Sequence, residues 1–187
     1  WRGTWDLDGG GALMNQSIHT IDLMLYLMGD VQSVSASGGL EAHSGIEVED
    51  VAVAIIEFKS GARGVIQAST ACYSNTGLPA SIHICGDQGS IRMVDDKFNI
   101  WDLKQTLAGD DEILQNHGLQ SSQSGAGAAD PKAIDFQWHQ RNFENALLAL
   151  DKNETPAVDG KEGRRAVELI CAIYESIKNH GDKITLK

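Results

Sequence analysis

Three polar residues, spaced by four and then three positions, interrupt an otherwise apolar stretch near the N-terminus. They are Asn15, His19 and Asp22, within GGGALMNQSIHTIDLMLYLMG, residues 9–29. At about 100° per residue, both spacings return to nearly the same face of a helix. An imidazole can take or give a proton near neutral pH, and a neighbouring carboxylate can fix its tautomer. The stripe predicts proton-transfer chemistry at His19, with Asp22 orienting the ring and Asn15 beside its other nitrogen.

Other interpretations of these residues stay open. A single histidine on a helix is often a packing residue, and no metal site is expected because His19 and Asp22 lack a third convergent ligand. Gly9, Gly10 and Gly11 remove side chains where the helix begins, so another backbone or a flat ring can approach closely. A plain flexible helix entry is equally compatible with the three glycines.

The elements that must position this stripe follow from hydrophobic periodicity. Helices are predicted at 11–28, 132–152 and 160–180. Strands are predicted at 31–41, 50–58, 62–73, 81–85, 90–94 and 97–103, with a short ITL strand at the end. This order predicts an α+β fold with an open, mostly antiparallel mixed sheet and helices packed on one face. The strand DVAVAIIEF is apolar on both sides, so the other face is available for a homodimer or homotetramer.

Further expectations concern the last two helices, the loop before them and the cysteines. The buried side of 132–152 is marked by Phe136, Phe143, Leu147 and Leu150. The buried side of 160–180 is marked by Val167, Ile170, Cys171, Tyr174 and Ile177. Residues 104–131 lack periodicity and predict a surface loop, in which GAGAAD is a poor match to GxGxxG. The three cysteines are predicted to be small buried thiols.

Composition excludes several classes of partner. The chain has 187 residues, which suggests one domain, and its formal charge is −11. Nucleic acid and anionic membrane surfaces reward clustered Lys and Arg, so neither is expected as a partner. No apolar run reaches 18 residues, so no membrane span is expected.

Five segments of the chain form a recognisable series: WRGTWDLDGGGALMNQSIHTIDLMLYLMG, GVIQAS, ICGDQGSI, NFENALLAL and GKEGRRAVELICAIYESIKN. In this order they resemble the C-terminal domain of the Gfo/Idh/MocA family of oxidoreductases. The resemblance implies a dihydrodipicolinate-reductase-like C-terminal fold. It makes residues 1–187 a substrate-binding and oligomerisation domain, with the N-terminal Rossmann domain of the parent absent from this chain.

The resemblance also implies a function for the polar stripe. The parent would be an NAD(P)-dependent dehydrogenase that acts on a sugar, cyclitol or sugar derivative, with NAD or NADP bound mainly by the missing domain. His19 would accept or donate the proton, while Asn15 orients the reacting hydroxyl and Asp22 sets the histidine. Gly9, Gly10 and Gly11 would leave room for the nicotinamide and the substrate. The remaining candidates for substrate contacts are Arg2, Trp5 and His139.

One departure from the family pattern bears on the substrate. Many dehydrogenases of the family carry Asp four residues before the histidine, where this chain has Asn15, which puts an inositol-type substrate in doubt. An NAD-dependent glycosidase or epimerase that uses transient oxidation fits the same residues, and a non-catalytic assembly or regulatory module is a further alternative. A cytoplasmic location is expected, although the chain starts at Trp1 without an initiator methionine and leaves an export signal open.

Overall fold

The computed structural model describes residues 1–75, 77–119 and 136–187, which form two compact units. The first unit comprises Trp1–Cys72 and Gln137–Lys187, and the second comprises Tyr73–Phe136. The GAGAAD segment and residues 132–135 of the predicted helix lie outside the described residues.

The first unit contains a four-stranded antiparallel sheet in the order β3-β2-β1-β7. Its strands are β1 (Val31–Gly39), β2 (Val51–Phe58), β3 (Arg63–Ser69) and β7 (Ile184–Thr185). Its helices are α1 (Trp5–Asp8), a π-helical turn (Ala12–Ser17), α2 (Ile18–Met28), α4 (Gln137–Lys152) and α5 (Gly160–Lys178). The α2 helix ends at Met28, as the sequence predicts, and Gly29 is its C-cap.

The core of this unit lies between one face of the sheet and helices α2 and α5. Side chains alternate along β2, so Ala52, Ala54, Ile56 and Phe58 point into the core and are buried. Helix α5 adds Leu169, Ile170 and Ile173, which are fully buried. The Ser176 hydroxyl accepts from the Ala36 backbone N–H at 2.8 Å and donates to the Asp182 carbonyl at 2.7 Å, tying α5 to β1.

A buried carboxylate organises the loop that precedes β2. Asp50 accepts from the backbone N–H groups of Glu41, Ala42 and His43 at 2.7–2.9 Å and from the His43 ring at 3.0 Å. Burial by itself would raise the pKa of the Asp50 carboxyl. The four donors outweigh burial and hold that pKa far below its usual range.

The second unit contains a three-stranded antiparallel sheet in the order β4-β5-β6. Its elements are β4 (Ser81–Gly86), β5 (Gly89–Val94), β6 (Lys97–Leu103) and α3 (Asp110–His117). The α+β class is therefore confirmed, with the described strands divided between two sheets rather than joined in one. Helix α3 lies where a loop was predicted. It begins with three acidic residues, which favour a helix N-terminus electrostatically but leave little apolar periodicity to detect.

Three predictions about burial are wrong. Phe136, Phe143, Leu147 and Leu150 are all exposed, because Ala149 is the buried residue of α4 and no described element covers the rest. For α5 the prediction is wrong at Val167 and Cys171, which are exposed, whereas Ile170 is fully buried and Tyr174 and Ile177 pack partly buried against the core. The other buried residues of α5 are Ala166, Leu169, Ala172, Ile173 and Ser176. All three cysteines are exposed. None of the helices in the described ranges is long and apolar enough to cross a bilayer.

Candidate functional site

The predicted stripe lies across the junction between the π-helical turn and α2. Asn15 belongs to the π-helical turn, whereas His19 and Asp22 occupy the first turns of α2. Short π-helical turns that interrupt or adjoin α-helices occur frequently at functional sites. All three side chains are exposed, so an external ligand has access to each of them.

The expected contact between Asp22 and His19 is not formed. Within the described residues, neither side chain makes a hydrogen bond or ion pair with the other or with a third group. A spacing of three residues brings two exposed side chains within reach, but water competes for both and such pairs gain little free energy. The imidazole of His19 is consequently available to a bound molecule.

Asn15 is held by a residue that precedes the glycines, not by the histidine. Its Nδ2 donates to Asp8 Oδ1 at 2.8 Å and makes a longer contact of 3.5 Å with the Gly10 carbonyl oxygen. Asp8 Oδ2 accepts from the Gly3 backbone N–H at 2.9 Å. The Gly3 N–H and then the Asn15 amide lower the pKa of the Asp8 carboxyl below its usual value.

Each of the three glycines is required by a different backbone conformation or close contact within the chain. Gly9 ends α1 in the left-handed region with φ of 74°, where other residues are strained. A Cβ at Gly10 would collide with the Tyr174 hydroxyl, and a Cβ at Gly11 would collide with the Glu49 carbonyl oxygen. Their proximity to a nicotinamide stays a prediction.

Glu49 contacts the start of the π-helical turn, and the sequence pattern did not single it out. Its buried carboxylate accepts from the Gly11 N–H at 2.9 Å, the Leu13 N–H at 2.8 Å and the Tyr174 hydroxyl at 3.0 Å. Burial, followed by the negative charge of Glu49, raises the pKa of the Tyr174 phenol above its usual value. The Ala12 N–H also donates to the Glu49 carbonyl oxygen at 3.0 Å. Glu49 thereby fixes the start of the helical segment that carries Asn15 and His19.

A sequence signal for Glu49 did exist. Two acidic residues, Glu49 and Asp50, come directly before an apolar strand, and a carboxylate at the edge of a core must find donors or remain outside it. The spacing does not reveal which donors, since Gly11 and Tyr174 lie 38 and 125 residues away along the chain.

Two of the other substrate candidates, Trp5 and Arg2, have partners of their own within the chain. Trp5 donates from Nε1 to the Glu47 carbonyl at 3.0 Å and packs edge-on against Tyr174, with ring centroids 5.1 Å apart. Arg2 lies over the Trp1 ring at 5.3 Å. His139 is exposed on α4 and forms no hydrogen bond or ion pair with the part of the chain that the structure describes.

Residues 1–92, which include the whole stripe and the glycines, match the GFO/IDH/MocA C-terminal domain family. The chain carries a Gfo/Idh/MocA C-terminal domain. The family resemblance predicted from the sequence is therefore confirmed.

Two curated relatives of this Gfo/Idh/MocA chain are dehydrogenases. It is 26% identical over 178 residues to myo-inositol 2-dehydrogenase of Thermotoga maritima, covering 90% of this chain and 47% of that protein. It is 25% identical over 175 residues to D-apiose dehydrogenase of Rhizobium rhizogenes, covering 87% of this chain and 45% of that protein. The chain thus spans about half the length of the curated relatives it matches.

A solved structure extends the similarity to the whole chain. The WlbA dehydrogenase of Bordetella pertussis, in complex with NADH and UDP-GlcNAcA, superposes with a TM-score of 0.82 at 31% identity. The match covers 100% of this Gfo/Idh/MocA chain and 51% of that protein.

Proposed function

We propose that this chain is the substrate-binding and assembly domain of an NAD(P)-dependent oxidoreductase. The enzyme would move a hydride between nicotinamide and a carbon that bears a hydroxyl group in a sugar, cyclitol or sugar derivative. The observation that carries the proposal is the exposed, unbonded His19 on the helix after the glycines, in a chain that aligns over 90% of its length with a cyclitol dehydrogenase.

The helix entry is compatible with a planar ring beside it. A Cβ at Gly9 would meet no atom within 4 Å, whereas the space beside Gly10 and Gly11 is filled by Tyr174 and Glu49. Gly9 would flank the nicotinamide, and a separate Rossmann domain would hold the rest of NAD or NADP. When bound, the nicotinamide supplies or accepts the hydride.

His19 would take the proton of the reacting hydroxyl during oxidation and return it during reduction. An imidazole suits this task because it changes its protonation state near neutral pH. Asp22 follows three residues later and would orient the ring once a ligand orders both side chains. Arg2, Trp5 and His139 stay candidates for contacts with more distant parts of the substrate.

Replacement of His19 in the intact protein tests this function. The assay would follow reduction of NAD or NADP with myo-inositol, D-apiose or UDP-GlcNAcA as the hydroxyl donor, and product analysis would separate net oxidation from epimerisation or hydrolysis. We expect His19→Asn to lower kcat by about 10²-fold with little change in KM, because asparagine keeps a hydrogen bond but cannot carry a proton.

His180→Asn is the matched control. His180 is exposed in the turn after α5 with φ of 58°, a conformation that asparagine tolerates. It should retain wild-type turnover. Near-wild-type kcat in His19→Asn would show that His19 does not carry the proton and would refute the proposed chemistry.

The uncovered face of the four-stranded sheet supports the assembly role. Val53, Ile55 and Val65 lie on this face and are 42%, 59% and 67% exposed, with Ile55 directly opposite Val65 in the β2–β3 register. The same face carries Glu57, which is paired with Lys183 and Arg63 at one end of the strands. A second copy would cover the apolar residues in a closed twofold arrangement, so a homodimer, or a homotetramer built from it, is part of the proposal.

A cytoplasmic location belongs to the same proposal. The three free cysteines fit a reducing compartment, where thiols persist without pairing.

A further inference from the structure

A second pair of chemically active side chains lies on β4, in the unit that does not contain His19. Cys85 Sγ and His83 Nε2 are 3.2 Å apart, and both residues are exposed. Residues two apart on a strand point to the same face of the sheet, so the strand itself brings the two side chains together. A nucleophile within hydrogen-bond reach of a base is the arrangement that activates a thiol for attack on an electrophile.

The other two cysteines lack such a neighbour. Cys72 and Cys171 are also exposed, but neither makes a hydrogen bond or ion pair with another residue in the described part of the chain. Exposure is therefore common to all three thiols, and the base beside the sulfur distinguishes Cys85. Because the thiolate is the attacking species, transfer of the S–H proton to His83 should make Cys85 the most reactive of the three.

An arginine stands beside this pair on the neighbouring strand. Arg92 on β5 is directly opposite His83 in the β4–β5 register. Side chains of opposite residues share a face of the sheet, and a long side chain also reaches the diagonal neighbour, which here is Cys85. Arg92 forms no ion pair with any residue that the structure describes. Its guanidinium is therefore suited to bind a carboxylate on a molecule that reacts at Cys85.

Two carboxylates complete the charged groups around the pair. Asp102 lies on β6, two strands away from Cys85, and Asp87 lies in the turn between β4 and β5. Within the described ranges, neither carboxylate is paired with His83 or Arg92. The charge one strand away from the thiol is thus positive, which favours an anionic reagent over a cationic one.

We propose that Cys85 is a site of reversible S-thiolation, with His83 as its base and Arg92 as the contact for a carboxylate of a low-molecular-weight disulfide. His83 Nε2 takes the Cys85 proton while Sγ attacks one sulfur of the disulfide. A new bond joins Sγ to that sulfur, the disulfide bond of the reagent breaks, and the departing thiolate takes the proton from His83. Cys85 is oxidised to the mixed disulfide, and half of the reagent is reduced to a thiol.

The modification needs neither nicotinamide nor His19, so it is independent of the proposed hydride transfer. Peptide mass spectrometry measures it at each cysteine separately, after the intact protein is exposed to oxidised glutathione at pH 7. We expect Cys85 to react about 10-fold faster than Cys72 and Cys171, and dithiothreitol to reverse the reaction.

Replacement of His83 tests its role as the base. His83→Gln keeps a hydrogen-bonding side chain but cannot take the proton, so it should slow Cys85 by about 10-fold at pH 7. The difference from wild type should shrink by about pH 9.5, where ordinary thiols ionise without a base. The rates at Cys72 and Cys171 should not change, and their constancy shows that the variant keeps its fold.

A second reagent tests the carboxylate contact. Oxidised glutathione carries carboxylates, whereas cystamine is a disulfide that carries amines only. Arg92→Gln should slow the reaction of Cys85 with oxidised glutathione by about 5-fold and should not slow its reaction with cystamine. Ser81→Ala is the matched control, because it alters an exposed residue of the same strand and should change neither rate.

Three results would contradict these expectations. If Cys85 reacts no faster than Cys72 and Cys171, or if His83→Gln leaves its rate unchanged at pH 7, the proposed S-thiolation site is wrong. If Arg92→Gln slows both reagents equally, Arg92 does not bind the carboxylate of the disulfide.

Discussion

Removal of the Glu49 carboxylate should destabilise the first unit far more than removal of a nearby exposed carboxylate. Glu49→Ala deletes the acceptor for the Gly11 N–H, the Leu13 N–H and the Tyr174 hydroxyl. A hydrogen bond to a charged group contributes about 1.5–3 kcal/mol, and three bonds to one carboxylate add less than their sum. We expect a loss of about 3–5 kcal/mol in the free energy of unfolding.

Two milder substitutions show how much each hydrogen bond to Glu49 contributes to the free energy of unfolding. Tyr174→Phe removes one donor while both backbone bonds remain, so it should cost about 1 kcal/mol. Glu49→Gln keeps one acceptor oxygen but turns an N–H toward a backbone N–H, so its cost should lie between those of Tyr174→Phe and Glu49→Ala. The ordering follows from the number of donors left without an acceptor.

Urea unfolding followed by circular dichroism measures these differences, with the melting temperature as a second readout. Glu47→Ala is the control. Glu47 is exposed, and its side chain accepts one long bond of 3.3 Å from the Trp5 N–H, so its loss should cost less than about 0.5 kcal/mol. The melting temperature of Glu49→Ala should fall by about 10 °C. If Glu49→Ala and Glu47→Ala have equal stability, the Glu49 carboxylate does not anchor the start of the helix and the reasoning from its three hydrogen bonds is refuted.

Three further predictions concern acid stability, assembly and the cofactor. Because the pKa of Asp50 is lowered on folding, its ionised carboxyl stabilises the native state above about pH 5 and loses this effect as the pH falls below about 4. Asp50→Asn should therefore be less stable than wild type at pH 7, with a difference that shrinks in acid-titrated urea melts. Ile55→Lys should shift the protein toward monomer in light scattering at tens of micromolar, and an unchanged dimer would place the interface elsewhere. This chain alone should bind NAD and NADP weakly in calorimetry, and micromolar affinity would contradict a separate dinucleotide-binding domain.

Local patterns were sufficient for the elements that depend on nearby residues. The alternation in β2, the apolar positions of α2 and the stop at Gly29 each reflect forces that act within a few residues. The short helix α3 was missed because eight residues with an acidic start carry little periodicity. Exposure of the apolar side chains of α4 was also missed. An amphipathic pattern shows which side of a helix can be buried, but it does not show whether another element packs against that side.

The sequence by itself determined the spacing of the polar stripe, and this spacing predicts that Asn15 and His19 share one helix face. Tertiary structure decided what each of these residues can do. The chain returns Glu49 to the helix entry from 38 residues away and so fixes the backbone there, while the turn at Gly9 brings Asp8 back onto Asn15 and fixes its amide. Hydrogen bonds of this kind depend on donors and acceptors that the fold brings together. The spacing of residues along the chain therefore does not predict which groups will pair.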